Sequence, residues 1–159
     1  SLVGGQHSNN ANVFFVSTKE YNYDWVHPQD GTLWNSGSEK KPAKTEYDPC
    51  PSGWRVPTRE ELDELSLNYS EWTTNSVGQG GYWFSGPNTY SELVPRVFFP
   101  AAGQRDYDGV AVYRNGRCSY WSSSSYRDNA SQGACRLDGT GVYNCYGRAF
   151  GFAIRCVQE

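Results

Sequence analysis

Residues 47–65 read YDPCPSGWRVPTREELDEL, and they fix where the one clear helix begins. Thr58 offers the hydroxyl of an N-cap. Glu61, three residues on, completes a capping box, in which each side chain satisfies the other residue's backbone N–H. Leu62 and Leu65 then form one stripe, which predicts a helix of about two to three turns with a single apolar face. Outward from this helix the pattern changes. Beyond residue 75 the chain carries short apolar runs bounded by glycine, proline and polar clusters: GYWFSG at 81–86, RVFFPAAG at 96–103, SYWSSS at 119–124, ACRLDG at 134–139 and GFAIRCV at 151–157. Each predicts a short strand. Upstream, NVFFVS at 12–17 predicts another. Residues 24–49, rich in Pro, Gly, Ser, Asn and Lys with DG and SG turn signals, predict a long surface loop. One early helix followed by many short strands implies an α+β fold with much irregular structure. No period of about 20 to 50 residues recurs, which excludes a repeat architecture.

The 159 residues suit a single domain, 1–159, with room for a core of its own. Only 37% of them are hydrophobic, yet 16% are aromatic, with six Trp and twelve Tyr. Rings therefore supply most of the buried area, and some are left over for a binding surface. A net charge of -3 argues against a phosphate-backbone ligand, which requires a basic stripe, so no nucleic-acid partner is expected. No run approaches the roughly 18 apolar residues of a membrane span, so this segment is not expected to insert in a membrane. The beginning SLVGGQHSNNANVFF lacks the regions of a signal peptide, although an anchor or tail domain upstream of Ser1 is compatible with a chain that does not start with Met.

Charge is unevenly placed. All four lysines precede residue 45, every arginine lies at Arg55 or later, and residues 93–158 contain neither Lys nor Glu. Both are common surface choices, so the gap calls for a reason. The five cysteines, Cys50, Cys118, Cys135, Cys145 and Cys156, allow at most two disulfides, whose connectivity the sequence leaves open. There is no CxxC pair, and His7 and His27 stand far from every cysteine, so no metal site is expected.

The end of the chain, GVYNCYGRAFGFAIRCV at 141–157, joins two kinds of segment. From Phe150 it alternates, with Phe152, Ile154 and Cys156 on one face and Ala153, Arg155 and Val157 on the other. Before that, Tyr143, Asn144, Cys145, Tyr146 and Gly147 show no period.

Four blocks, YDPCPSGWRVPTREELDEL, FFPAAGQR, GRCSYWSSS and RAFGFAIRCV, taken in that order over residues 47–157, resemble the C-type-lectin-like domains of gut Bacteroidetes surface proteins known as the Fibrobacter succinogenes major paralogous domain. The layout is also similar to the variable proteins of diversity-generating retroelements, found in phage tails and on bacterial surfaces. In that family, randomised adenines turn asparagine codons into codons for Tyr, Asp, Ser, Gly, Cys, Arg or Phe, never Lys, Glu, Gln, Met or Trp. The resemblance thus implies a variable region over about 103–157. Its framework would be Gly103, Arg105, Ala130, Leu137, Arg148 and the runs 120–123 and 151–157. The ligand-binding, variable positions would be Asp106, Tyr107, Tyr113, Arg117, Ser119, Tyr126, Arg127, Asp128, Cys135, Arg136, Asp138, Tyr143, Asn144, Cys145, Tyr146 and Phe150.

The same resemblance implies a disulfide between Cys50 and Cys156, a site without cofactor, and a cell-surface protein or glycan as partner. The location implied is the cell exterior, the cell surface or a phage virion. Tyr with Ser, Gly and Asn makes an antibody-like binding surface at low side-chain entropy cost. On this reading the lysine-bearing loop 24–49 should lie away from the site, with Trp121 in the core and the serines of 122–125 tying loop backbone together or lining the binding face.

Other readings compete. The tyrosines could merely cover an aromatic core, and the cysteines could be buried thiols or pair as Cys135 with Cys145. The domain could be a structural or adhesive module without diversification. The WSSSS run lacks a neighbouring His with a supporting acid, and there is no GxSxG elbow, which counts against a serine hydrolase. HPQDG at 27–31 and WSS at 121–123 lack the carboxylate and amide set of calcium-dependent sugar binding, although a structural ion on loop carbonyls remains compatible. A distant similarity to formylglycine-generating enzymes would imply copper-binding cysteines in a spacing this chain does not have. No catalytic residue is expected.

Overall fold

The computed structural model describes residues 5–9, 12–16, 24, 26, 28–67, 70–74, 77–85, 96–125, 134–138 and 141–159, by backbone alone at 5–16, 66–67 and 134–146. The helix stands where the capping box places it, as α1, Arg59–Leu67. Thr58 N donates to Glu61 Oε2 at 2.8 Å, and Glu61 N donates to Thr58 Oγ1 at 3.4 Å. Two more of the orphan N–H groups at this terminus are taken from elsewhere in the chain. Arg59 N donates to Ser124 Oγ at 2.7 Å and Glu60 N to Glu39 Oε2 at 3.2 Å. The start of α1 therefore ties together the 35–44 loop and the serine run.

Two three-stranded antiparallel sheets carry the fold. The first has the order β4-β5-β6, from β4 (Ser70–Thr74), β5 (Gly80–Ser85) and β6 (Arg96–Pro100). Tyr82 lies opposite Phe99 and Phe84 opposite Val97. Gly81 has no alternative at its position, because a Cβ there would lie 2.5 Å from the Phe98 ring. The second has the order β11-β10-β9, from β9 (Ser119–Trp121), β10 (Ala134–Asp138) and β11 (Gly141–Tyr146). The described residues also form two-stranded pairs: β1 (Gly5–Asn9) with β2 (Asn12–Val16), β3 (Trp54–Arg55) with β12 (Val157–Gln158), and β7 (Gln104–Arg105) with β8 (Ala111–Val112). Among the described residues, one short helix with antiparallel sheets is an α+β arrangement, as the sequence predicts.

The core lies between α1 and the two sheets. Leu62, Phe84, Phe99, Ala101, Cys118 and Tyr120 form its buried cluster. The rings meet edge to face, Phe84 on Phe99 at 5.2 Å and Phe99 on Tyr120 at 4.8 Å between centroids, a geometry that adds to their area burial. Tyr120 O–H donates to the Pro100 carbonyl at 2.9 Å. Burial, helped by the nearby Cys118 and opposed by Arg155, pushes this phenol up to about 12. Cys118 is buried, with its thiol 3.2 Å from the Phe99 carbonyl.

Cys50 and Cys156 are bonded, across a sequence separation of 106. Beside this bridge Lys44 Nζ donates to Asp48 Oδ1 at 2.9 Å, the Cys50 carbonyl at 2.7 Å and the Trp54 carbonyl at 2.8 Å. The buried Asp48 carboxylate also accepts from Cys50 N and Val56 N.

Three expectations need correction. The final strand is shorter than its alternation suggests, since only Val157–Gln158 pairs in a sheet. Upstream of it Gly151 and Ala153 make isolated bridges to Arg105 and Tyr120. The alternation of 152–156 records packing on two sides rather than a continuous ladder. Conversely, the segment without period is a strand, β11. Its pairing advances two residues on β10, Ala134 to Arg136, while it advances three on β11, Tyr146 to Tyr143. The extra residue is a bulge, and a bulge erases the period of two. Lastly, the 24–49 loop does not stand apart. Asp24, Asn35 and Asp48 are buried, and the loop's first part packs on the serine run.

Candidate functional site

Register decides which positions share a face of the β11-β10-β9 sheet. Arg136 is opposite both Trp121 and Tyr143, and Ala134 is opposite Tyr146. Positions opposite one another in a sheet, and positions two apart on one strand, are on the same face. Positions 121, 134, 136, 143 and 146 therefore fall together. Without the bulge, Tyr143 and Tyr146 would alternate to opposite faces. Position 120, opposite Leu137, and through it Val142, mark the other face, where Tyr120 joins the core with Leu62 of α1. The face holding positions 136, 143 and 146 is thus the one turned away from the helix.

A train of rings runs outward from this face. Trp121 packs on Phe152 at 4.1 Å, Phe152 on Phe150 at 5.9 Å, and Phe150 on Tyr107 at 5.8 Å. Trp121 is buried at 4% exposure, and Tyr107 is open at 43%. Tyr107 and Phe150, far apart in sequence, are brought into contact by the exchange of backbone bonds between Arg105 and Gly151, at 2.8 and 2.9 Å.

Tyr107 sits in the turn between β7 and β8. Asp106 N donates to the Val110 carbonyl at 2.9 Å, and Gln104 Nε2 donates to Asp106 Oδ1 at 2.8 Å. Tyr113 follows, 55% exposed and at φ 57°. That left-handed backbone is uncommon for a residue with a Cβ. The Arg117 guanidinium lies 4.3 Å from its ring centroid, a cation–π contact.

The second part of the site is a pocket of about 50 Å³ between the 24–34 segment and the serine run, with Trp34, Trp121 and Arg148 in its lining. Arg148 holds it together. Its Nη1 donates to the Asp30 carbonyl at 2.7 Å and to Asp24 Oδ2 at 3.4 Å, and its Nη2 donates to Ser125 Oγ at 3.3 Å. The Asp24 and Arg148 side chains are 1% and 10% exposed, so the pair is shielded from solvent. Ser125 Oγ donates to the Gly31 carbonyl at 2.6 Å, and Ser123 Oγ to the Pro57 carbonyl at 3.3 Å. The serines thus tie loop backbone together, and Trp121 is in the interior, as expected. Bonds from the Thr32 hydroxyl and N–H, helped by Arg148 against a small burial effect, hold the Asp30 carboxyl below its ordinary value.

Of the expected ligand-binding positions, Tyr107 and Tyr113 are exposed, and Asp106, Arg117 and Phe150 are half-buried. Ser119, opposite Asp138 and on the same face as Trp121, is fully buried, 3.4 Å from Gln104 Oε1, so the β9 edge of this face is covered. Tyr126, Arg127 and Asp128 lie outside the described residues. Arg136, Asp138, Tyr143, Asn144, Cys145 and Tyr146, like Cys135, are described by backbone alone. The contribution of 24–34 was not legible in the sequence, where Asp24 stands as one more polar residue ahead of the DG turn and only the structure shows it buried. Among the described residues, no three of His, Cys, Asp and Glu gather closely enough to hold a metal, and no helix is long and apolar enough to cross a membrane.

The chain matches no known protein family, no characterised protein and no solved structure.

Proposed function

We propose that this domain is a non-enzymatic ligand-binding module of C-type-lectin-like fold. Its hypervariable, tyrosine-rich surface would be built on the helix-distal face of the β11-β10-β9 sheet and the adjoining 106–117 turns. The observation that carries this is the bulge in β11, which brings positions 143 and 146 onto the face of position 136, next to the ring train that ends in exposed Tyr107. Rigid aromatic groups on a braced backbone give contact area at little entropic cost, and they need no catalytic geometry. The Cys50–Cys156 bridge between the approach to α1 and the end of the chain supports the resemblance, and a disulfide is compatible with an extracellular setting. The absence of Lys and Glu from 93–158 supports diversification of the retroelement kind. The partner would be a cell-surface protein or glycan, recognised by shape around a few aromatic anchors.

A library of the domain with Tyr107, Tyr113, Arg117, Arg127, Asp128, Tyr143, Tyr146 and Phe150 randomised over the residues of such codons tests the reading. Most members should stay folded, and selection against a panel of surface proteins and glycans should yield binders. A library in which nearly every member unfolds would show that these residues are packing, and the proposal would fall.

A further inference from the structure

The pocket beside Arg148 is made from residues other than the exposed positions of the proposed variable surface, and it has a chemistry of its own. The indoles of Trp34 and Trp121 give it apolar walls. Its polar groups are of both kinds. Among the described residues, Arg148 Nε and one N–H of Nη2 have no partner, since the guanidinium's bonds go to Asp24, the Asp30 carbonyl and Ser125. Asp30 uses only Oδ1, for the N–H and hydroxyl of Thr32, which leaves Oδ2 as an acceptor at the exposed rim. Ser122, 2% exposed, accepts from Ser124 N and keeps its O–H to give.

Charge narrows the choice of ligand. Asp24 and Asp30 together outweigh Arg148 by one, which disfavours an anion, while the guanidinium disfavours a cation placed against it. A hydroxyl accepts and donates at once, and so satisfies a guanidinium N–H and a carboxylate oxygen side by side without adding charge. Size narrows it further. About 50 Å³ is several times the ~10–15 Å³ that one water needs by the same measure, so the pocket admits a polar edge of several ligand atoms.

We propose that this pocket is a second binding site, which takes one edge of a neutral, hydroxyl-rich ligand such as the terminal sugar of a glycan. A ligand hydroxyl accepts from Arg148 and donates to Asp30, and the C–H face of the ring rests on Trp34. The site does not depend on the tyrosine-rich surface, and it stands or falls separately from it.

The test is a titration of the intact domain, in the presence of a chelator, with methyl glucoside, methyl mannoside and methyl galactoside, and in parallel with acetate and tetramethylammonium. Tryptophan fluorescence and saturation-transfer NMR report binding. At least one hexoside should bind saturably, more tightly than either ion. Asp30→Asn keeps the Oδ1 turn with Thr32 and removes the charged acceptor, so it should weaken that hexoside about tenfold. Trp34→Ala should weaken binding about tenfold as read by saturation-transfer NMR, and Tyr107→Ala should leave the affinity unchanged. No binding by any hexoside, equal or better binding of an ion, an Asp30→Asn affinity equal to that of the parent, or loss of binding in Tyr107→Ala would each overturn the proposal.

Discussion

Phe84, Phe99 and Tyr120 at the centre of the molecule, and exposed Tyr107 and Tyr113 with half-buried Phe150 toward its surface, are the same residue types held in place by different means. In the core, volume does the holding. Each ring is fixed by edge-to-face neighbours, and the one phenol is bonded to a carbonyl. At the surface, backbone does it. Tyr107 is presented by a turn closed through Asp106 and Val110, Tyr113 by a left-handed residue in a loop whose Asn115 N donates to the Ala101 carbonyl at 2.9 Å, and Phe150 by the bonds between Arg105 and Gly151. Gly103, at φ 76°, lets β8 and the following turn approach closely, since a Cβ there would lie 2.5 Å from the Val112 carbonyl. Where the main chain carries the geometry, side chains can change at little cost. Where side chains carry it, they cannot.

This contrast can be broken from either side. Replacing Cys50 and Cys156 together by Ser releases a constraint spanning 106 residues and should cost about 4–5 kcal/mol in the chain-entropy estimate, read by denaturant unfolding. Phe84→Ala, at a ring 1% exposed, should cost about 3–5 kcal/mol by the same measurement. A markedly smaller loss would mean that the core is not held by volume.

The capping box gives a pH signature. Burial opposes the charge of Glu61, but bonds from Arg55, from Thr58 N and from the Thr58 hydroxyl outweigh it, so the carboxyl sits below its ordinary value of 4.5. A group depressed on folding stabilises above its unfolded value and ceases to do so as pH falls through the folded one. Glu61→Gln should therefore be less stable than the parent at neutral pH, with the gap closing below about pH 4.5. The smallest effect belongs to the surface set. Tyr107→Ala should change stability by no more than about 0.5 kcal/mol, and a loss comparable to that of Phe84→Ala would erase the distinction.

Much of this was legible in the sequence, for identifiable reasons. The helix start was written in Thr58 and Glu61, because capping is a local interaction at fixed spacing. Strands β5, β6 and β10 were legible as apolar runs between turn residues. The β11 strand was not, because its bulge falls among Tyr143, Asn144, Cys145 and Tyr146 and destroys the alternation by which strands are read. The role of 24–34 was hidden for a different reason. The bonds that dock it, from Arg148 to the Asp30 carbonyl and from Ser125 to the Gly31 carbonyl, end on backbone atoms, which any residue supplies. Cys118 and Ser119 sit among candidate variable residues in sequence, yet both are buried, Cys118 in the core cluster and Ser119 on the covered opposite face of β9.

Lys44 has a consequence for where such a domain can work. Its ammonium occupies the centre of an oxygen cage formed by Asp48 and the carbonyls of Cys50 and Trp54, so the counter-charge to a sequestered carboxylate is part of the polypeptide itself. This corner of the molecule needs no dissolved cation to neutralise it, and neither dilution into soft water nor competition from other scavengers of divalent metals can strip that charge away.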